Sequence, residues 1–171
     1  VWCAAASTGQ EPYSIAMTAV EALGPKPPVT ILATDIDTDV LATAGAGVYP
    51  AETVAKMDAG RLHRFFLRGK GERAGMVRVR PELRSMIRYE RLNLVEPSWP
   101  LRDRFDAVFC RNVMIYFDRN TRQRLVTSFH ALLKPGGLLF VGHSESFNDS
   151  RSLFALNGRT VYTRIDSGTQ S

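Results

Sequence analysis

Short β-branched and apolar runs alternate with stretches of helical periodicity along most of this chain, and that alternation limits the folds open to it more than any other feature. Residues 1–6 read as a short strand, 7–11 as a turn, and 12–23 as an amphipathic helix with Pro12 in its first turn and 24–28 as its stop. Residues 29–34 form a second apolar run, and 38–46 have helical spacing before Gly47. The pattern resumes with a buried strand at 105–110, a helix at 120–133 and a strand at 138–142 behind the Pro135-Gly136-Gly137 turn. Parallel strands need crossover connections, usually helical, so the chain is predicted to be α/β with a mostly parallel sheet covered on both faces. Residues 153–156 and 160–165 flank Asn157-Gly158, the dipeptide most typical of a tight hairpin, so a terminal antiparallel hairpin is expected. Residues 166–171 read as a frayed tail.

Residues 51–92 break the rhythm. A helix is expected over 51–66, then Gly69, Gly71 and Gly75 in close succession, then 76–80 and 86–92 with alternating Val-Arg-Val-Arg and Ile-Arg-Tyr-Glu-Arg-Leu. Such alternation fits antiparallel strands with one wet face, so an inserted antiparallel β-subdomain is predicted at about 62–92. The 171 residues suit one domain spanning 1–171. The chain opens at Val1 inside an apolar run and reads as a piece of a longer protein.

Charge is concentrated. Lys and Arg number 22 against 17 Asp and Glu, a balance of +5, yet residues 61–104 alone carry 12 basic and 5 acidic side chains, or +7. Most of those cations are arginines, which suit carboxylate or phosphate partners in fixed geometry, so an acidic partner surface is implied beside the plainer reading of a solvated basic face. No stretch approaches the ~20 apolar residues of a membrane span. Cys3 and Cys110 each sit in an apolar run without metal-ligand spacing, so no metal or disulfide framework is expected, and cytoplasm is the expected compartment.

In an open parallel sheet, ligands bind beyond the carboxyl ends of the strands. Every such end here is polar: Ser7-Thr8-Gly9-Gln10-Glu11, Asp35-Ile36-Asp37, Asn93-Leu94, Arg111-Asn112 and His143-Ser144-Glu145. A glycine-containing turn after the first strand lets a nucleoside approach the backbone, and an acid ending the second can accept from ribose hydroxyls. Asp35 lies 26 residues after Gly9 and the GxGxxG fingerprint is absent, which disfavours a dinucleotide and favours a non-phosphorylated nucleoside. Two plainer roles stay open. Asp35 would also serve as a helix cap ahead of Thr38, and Glu11 would complement the dipole of the first helix.

The segments Ala4-Ala5-Ala6-Ser7-Thr8-Gly9-Gln10-Glu11-Pro12-Tyr13-Ser14, Ala33-Thr34-Asp35-Ile36-Asp37, Phe105-Asp106-Ala107-Val108-Phe109-Cys110-Arg111-Asn112-Val113-Met114-Ile115-Tyr116-Phe117, and Leu132-Leu133-Lys134-Pro135-Gly136-Gly137 through Gly142-His143-Ser144-Glu145 occur in one order along the chain. Together they closely resemble the chemotaxis receptor methyltransferase family, CheR. The resemblance implies a Rossmann-like class I methyltransferase fold and an S-adenosylmethionine-dependent enzyme, a protein-glutamate O-methyltransferase acting on the cytoplasmic helices of chemoreceptors. Carried over by motif, Ala6, Thr8, Glu11, Asp35, Asn93, Leu94, Arg111 and Asn112 would hold the cofactor. Glu11 would face its amino acid end, Asp35 the ribose, Asn93 and Leu94 the adenine, and Arg111 and Asn112 the methionine region. The last two, with Tyr116 at the substrate entrance, would do the orienting work of catalysis. The family also carries a small helical domain ahead of this one, to which nothing in this sequence corresponds.

The resemblance further implies docking of a receptor's C-terminal pentapeptide on the inserted subdomain through Gly69, Gly71, Arg73, Gly75, Arg78 and Arg80, by strand addition. A glutamate substrate is already an anion at neutral pH, so no general base is required, and His143 and Cys110 read as structural. A nucleic-acid partner is disfavoured because the basic segment has few aromatics for base stacking. The competing reading is a cofactor- or receptor-binding sensor or scaffold without turnover.

Overall fold

The alternation is realised as ten strands and five helices among the described residues, 1–143 and 152–166 of a computed structural model. The strands are β1 (Trp2–Cys3), β2 (Ile31–Asp35), β3 (Val48–Pro50), β4 (Phe66–Arg68), β5 (Met76–Val79), β6 (Ile87–Arg91), β7 (Phe105–Cys110), β8 (Leu133–Val141), β9 (Phe154–Leu156) and β10 (Val161–Arg164). The helices are α1 (Gln10–Leu23), α2 (Thr38–Ala46), α3 (Ala59–Phe65), α4 (Pro81–Arg84) and α5 (Arg119–Leu132). They form two units, Ala6–Arg91 and Val1–Ala5 with Leu92–Ser171.

In the Ala6–Arg91 unit, β2 and β6 pair in parallel, from Ile31 opposite Ile87 to Asp35 opposite Arg91. Helices α1 and α2 pack on this pair. Helix α1 buries Tyr13, Ala16, Met17 and Val20, the i, i+3, i+4, i+7 spacing that makes one helical face dry. Helix α2 begins where Asp37 accepts from the amides of Asp39 and Val40 and ends at Gly47, whose φ of 61° is the left-handed stop that glycine favours. The same unit holds a separate antiparallel sheet ordered β3-β5-β4.

Two expectations need correction here. Residues 51–66 are not one helix: Ala51–Val54 is a 3-10 turn, and Asp58 opens a new helix, α3, by accepting from the Arg61 amide at 3.1 Å. Residues 86–92 do not belong to the antiparallel subdomain, since β6 is a parallel partner of β2. Alternation specifies a dry face but not the direction of the neighbouring strand, and the inserted sheet is completed instead by β3, Tyr49 pairing with Val77.

In the other unit the strand order is β1-β7-β8-β10-β9. Strands β1, β7 and β8 run parallel, while β10 pairs antiparallel with β8 and with β9, forming the expected terminal hairpin. The Lys134-Pro135-Gly136-Gly137 segment is an irregularity of β8: opposite β7 the register jumps from Phe105–Leu133 to Ala107–Leu138. Trp2, Phe105 and Phe129 are buried, and Trp2 lies 5.3 Å from Trp99, 5.6 Å from Phe105 and 5.4 Å from Phe129, ring centre to ring centre. Cys3 and Cys110 are fully buried, as packed core. Ser144, Glu145 and residues 167–171 lie outside the described residues.

Candidate functional site

In the Ala6–Arg91 unit, the loop between Ala6 and α1 is bent by two left-handed residues. Ser7 has φ 48° and Gly9 φ 94°, so Thr8 is flanked on both sides. A serine in that region costs ~1–3 kcal/mol and persists only where its surroundings fix it. They do so at each step. The Ala6 amide donates to the Thr34 carbonyl at 2.9 Å, the Ser7 amide to Asp35 Oδ2 at 2.9 Å, and the Gly9 amide to the Ala6 carbonyl at 3.0 Å. The Thr8 hydroxyl donates to Gln10 Oε1 at 2.7 Å, and the Tyr49 hydroxyl to the Thr8 carbonyl at 2.6 Å. A Cβ on Gly9 would stand 2.8 Å from Ala44 Cβ, so the loop lies against α2 with no room for a side chain.

Asp35 is therefore not the cap of α2. That role falls to Asp37, while Asp35 accepts from Ser7 across 28 residues and from the Asp37 amide at 3.2 Å. A carboxylate offers about four acceptor positions, so two amides leave capacity for further donors. Glu11 stands half-buried in the first turn of α1, where negative charge is favoured. Ala6, Thr8 and Glu11 thus belong to one loop and the helical turn after it, which the Ser7–Asp35 bond joins to the end of β2.

The second set of residues belongs to the other unit. Asn93 organises a turn: its side-chain oxygen accepts from the Val95 amide at 3.1 Å, and its carbonyl accepts from Glu96 N and from the Trp99 indole, both at 3.2 Å. Arg124 of α5 fastens the same turn, donating to the Glu96 carbonyl at 2.6 Å and the Val95 carbonyl at 3.0 Å. Leu94 is buried beside Asn93 in sequence. Arg111 and Asn112 follow the carboxyl end of β7 and are exposed, and Asn112 has φ 60°. Ser7 and Asn112 are the two non-glycine residues with positive φ among the described residues, and each falls in a loop that the sequence marked. Tyr116 ends a 3-10 turn, Met114–Tyr116, anchored by buried Met114, and is itself 79% exposed. His143 is exposed just past β8.

Sequence reasoning passed over Tyr49, Trp99 and Arg124. Each acts through a polar atom on a backbone carbonyl, and no residue spacing announces such a bond.

In the inserted sheet, Gly69, Gly71, Arg73 and Gly75 occupy the β4–β5 connection. A Cβ on Gly69 would meet the Arg73 carbonyl at 1.9 Å, so this tight fold accepts only glycine there. Arg78 is exposed on β5, whereas Arg80 is half-buried and donates to the His63 carbonyl at 3.2 Å, tied back to α3. A cleft of about 420 Å³ is lined here by Val54, Leu62, Arg68, Gly69, Gly75 and Met76, among others. Among the described residues there is no cluster able to hold a metal ion and no helix long and apolar enough to cross a membrane.

The family model described as CheR methyltransferase, SAM binding domain, matches residues 1–163. The chain belongs to the CheR methyltransferase family. Its fold class is accordingly the Rossmann-like class I methyltransferase fold, with a mixed sheet. The chain is 54% identical over 164 residues to chemotaxis protein methyltransferase 2 of Pseudomonas aeruginosa, covering 95% of this chain and 59% of that protein. It is 51% identical to the chemotaxis protein methyltransferase of Klebsiella aerogenes and 50% identical to that of Escherichia coli, each over 163 residues, 95% of this chain and 56% and 57% of those proteins. This CheR chain therefore spans less than two thirds of these relatives' length. The S-adenosylmethionine that the family implies is a cationic, non-phosphorylated nucleoside, and the residues present fit it: Asp35, at the end of β2, accepts from two amides and retains acceptor capacity for hydroxyl donors.

Proposed function

We propose that this CheR chain is the cofactor- and substrate-handling part of a protein-glutamate O-methyltransferase that acts on the cytoplasmic helices of chemoreceptors. The observation that carries the reading is the bond from Ser7 N to Asp35 Oδ2, which ties a loop with left-handed residues at Ser7 and Gly9 to an acid within a family-matched stretch. S-adenosylmethionine supplies an activated methyl group on its sulfonium. In this reading Asp35 accepts from the ribose hydroxyls, Ala6 and Thr8 present loop backbone, and Glu11 balances the positive charge of the amino acid end. Asn93 pairs with the adenine edge and Leu94 covers it, while Arg111 and Asn112 orient the methionine region and Tyr116 lines the entry for the glutamate. A free glutamate has a pKa of ~4.3 and is already an anion at neutral pH, so the protein removes no proton. Its residues align the reacting groups and exclude water.

Docking of a receptor's C-terminal pentapeptide belongs to the same proposal. Support comes from an antiparallel sheet in which β4 is an edge strand beside the Gly69–Gly75 connection and the adjoining cleft.

Calorimetric titration with S-adenosylhomocysteine, with NAD as the control, tests the cofactor assignment. Heat with the first and none with the second is expected, and Asp35→Asn should weaken binding about tenfold or more, the scale of a lost charged acceptor. Labelled methyl transfer to receptor cytoplasmic fragments separates an enzyme from a scaffold; binding without transfer would overturn the enzymatic reading.

A further inference from the structure

We propose that Tyr49 is a positioning residue for the cofactor loop, so that the inserted antiparallel sheet braces the loop from outside the elements assigned to the cofactor. The inference rests on the reading of residues 7–11 as the loop that holds S-adenosylmethionine. Tyr49 belongs to β3, opposite Val77 of β5, and is 6% exposed. Its hydroxyl reaches back 41 residues to donate to the Thr8 carbonyl at 2.6 Å. The Tyr13 ring stands edge-on to it, 6.3 Å between centres. Burial pushes the phenol pKa up, and the hydroxyl therefore stays protonated and remains a donor at any working pH.

The position of that bond gives it its role. Thr8 lies between two left-handed residues, and such a segment holds its shape only while each neighbouring group is fixed. The Ser7 amide is held by Asp35 and the Gly9 amide by Ala6, both from the loops assigned to the cofactor. The Thr8 carbonyl between them is held by Tyr49, and so by a strand of the inserted sheet. Without the hydroxyl that carbonyl keeps its place less well, and the loop visits shapes that no longer suit the ligand. The effect falls on binding. Tyr49 touches no reacting atom in this scheme.

The test compares Tyr49→Phe with Tyr13→Phe. Both remove a buried hydroxyl and keep the ring, but Tyr13 donates to the Ala44 carbonyl, at 2.7 Å, outside the loop. By calorimetry with S-adenosylhomocysteine, Tyr49→Phe is expected to bind about three- to tenfold more weakly, the range of one buried hydrogen bond. Tyr13→Phe should stay within about twofold of the parent chain on the same scale. In the ligand-free chain, hydrogen exchange at the Gly9 amide should quicken by a similar factor in Tyr49→Phe alone. Where methyl transfer is measured, KM for the methyl donor rises while kcat holds. Unchanged Gly9 exchange, or equal losses in the two variants, overturns the inference. If Asp35→Asn weakens binding and Tyr49→Phe does not, the bracing role fails and the site assignment stands. If neither the parent chain nor any variant takes up the ligand, the site assignment itself fails, and the exchange measurement still decides whether Tyr49 fixes the loop.

Discussion

Replacing Gly9 by alanine probes the loop most directly. At φ 94° any L side chain is strained, at a cost of ~1–3 kcal/mol. The new methyl would stand 2.8 Å from Ala44 Cβ, 3.1 Å from Ala44 Cα and 3.1 Å from the Tyr49 hydroxyl, against an optimal carbon separation of ~3.5–4.0 Å. Overpacking of that kind costs a further ~1–3 kcal/mol, giving roughly 2–6 kcal/mol in all. Ala44 sits inside α2, so Ala44→Gly by itself costs ~1 kcal/mol of helix propensity. In the double variant it removes the closest overlap, and the pair should be less destabilised than the sum of the singles by ~1–2 kcal/mol, leaving the backbone strain. Urea unfolding followed by far-UV ellipticity measures all four corners of the cycle. A Gly9→Ala variant within ~0.5 kcal/mol of the parent, or strictly additive singles, would refute the argument, since surface substitutions commonly fall in that range.

Two further outcomes follow from charge. The Thr121 amide donating to Asp118 at 2.8 Å holds that carboxyl below its ordinary value of 3.8. The contribution of this α5 cap is therefore complete above that value and lost as pH falls through the depressed one; amide exchange in α5 between about pH 5 and 2 should show it, and an acid response unchanged in Asp118→Ala would contradict it. The basic excess over residues 61–104 should make the binding of an acidic receptor tail peptide fall steeply with salt while S-adenosylhomocysteine binding barely moves; equal salt slopes, or no peptide binding at low salt, would sink the docking proposal.

Much of the α/β framework was legible because its signals are local. The bounds of α2 follow from the periodic run over 38–46 and Gly47 behind it, and β7 and the terminal hairpin follow from apolar runs and the Asn157-Gly158 turn. What stayed hidden depends on distant pairing. Strand β6 shows a half-wet alternation that suits either direction of neighbour, and only its register with β2, 56 residues earlier at Ile31 and Ile87, makes it parallel. Strand β3 is three residues long and ends in proline, too short for any period to register. Asp35 read as a candidate cap of α2, yet Asp37 fills that role while Asp35 turns toward Ser7, and the spacing of the two acids does not reveal it. Tyr49, Trp99 and Arg124 escaped for the same reason, since a side chain aimed at a remote carbonyl leaves no trace in neighbouring letters.

Both tryptophans of the chain lie in one aromatic cluster, and one of them donates its indole hydrogen to the Asn93 carbonyl. Tryptophan emission is thus a built-in gauge of the turn assigned to adenine, and residues 6–91 contain tyrosine but no tryptophan. Pairing that optical signal with ellipticity, to which both units contribute, turns an ordinary melt into a measure of whether the two units come apart in a single step or in sequence.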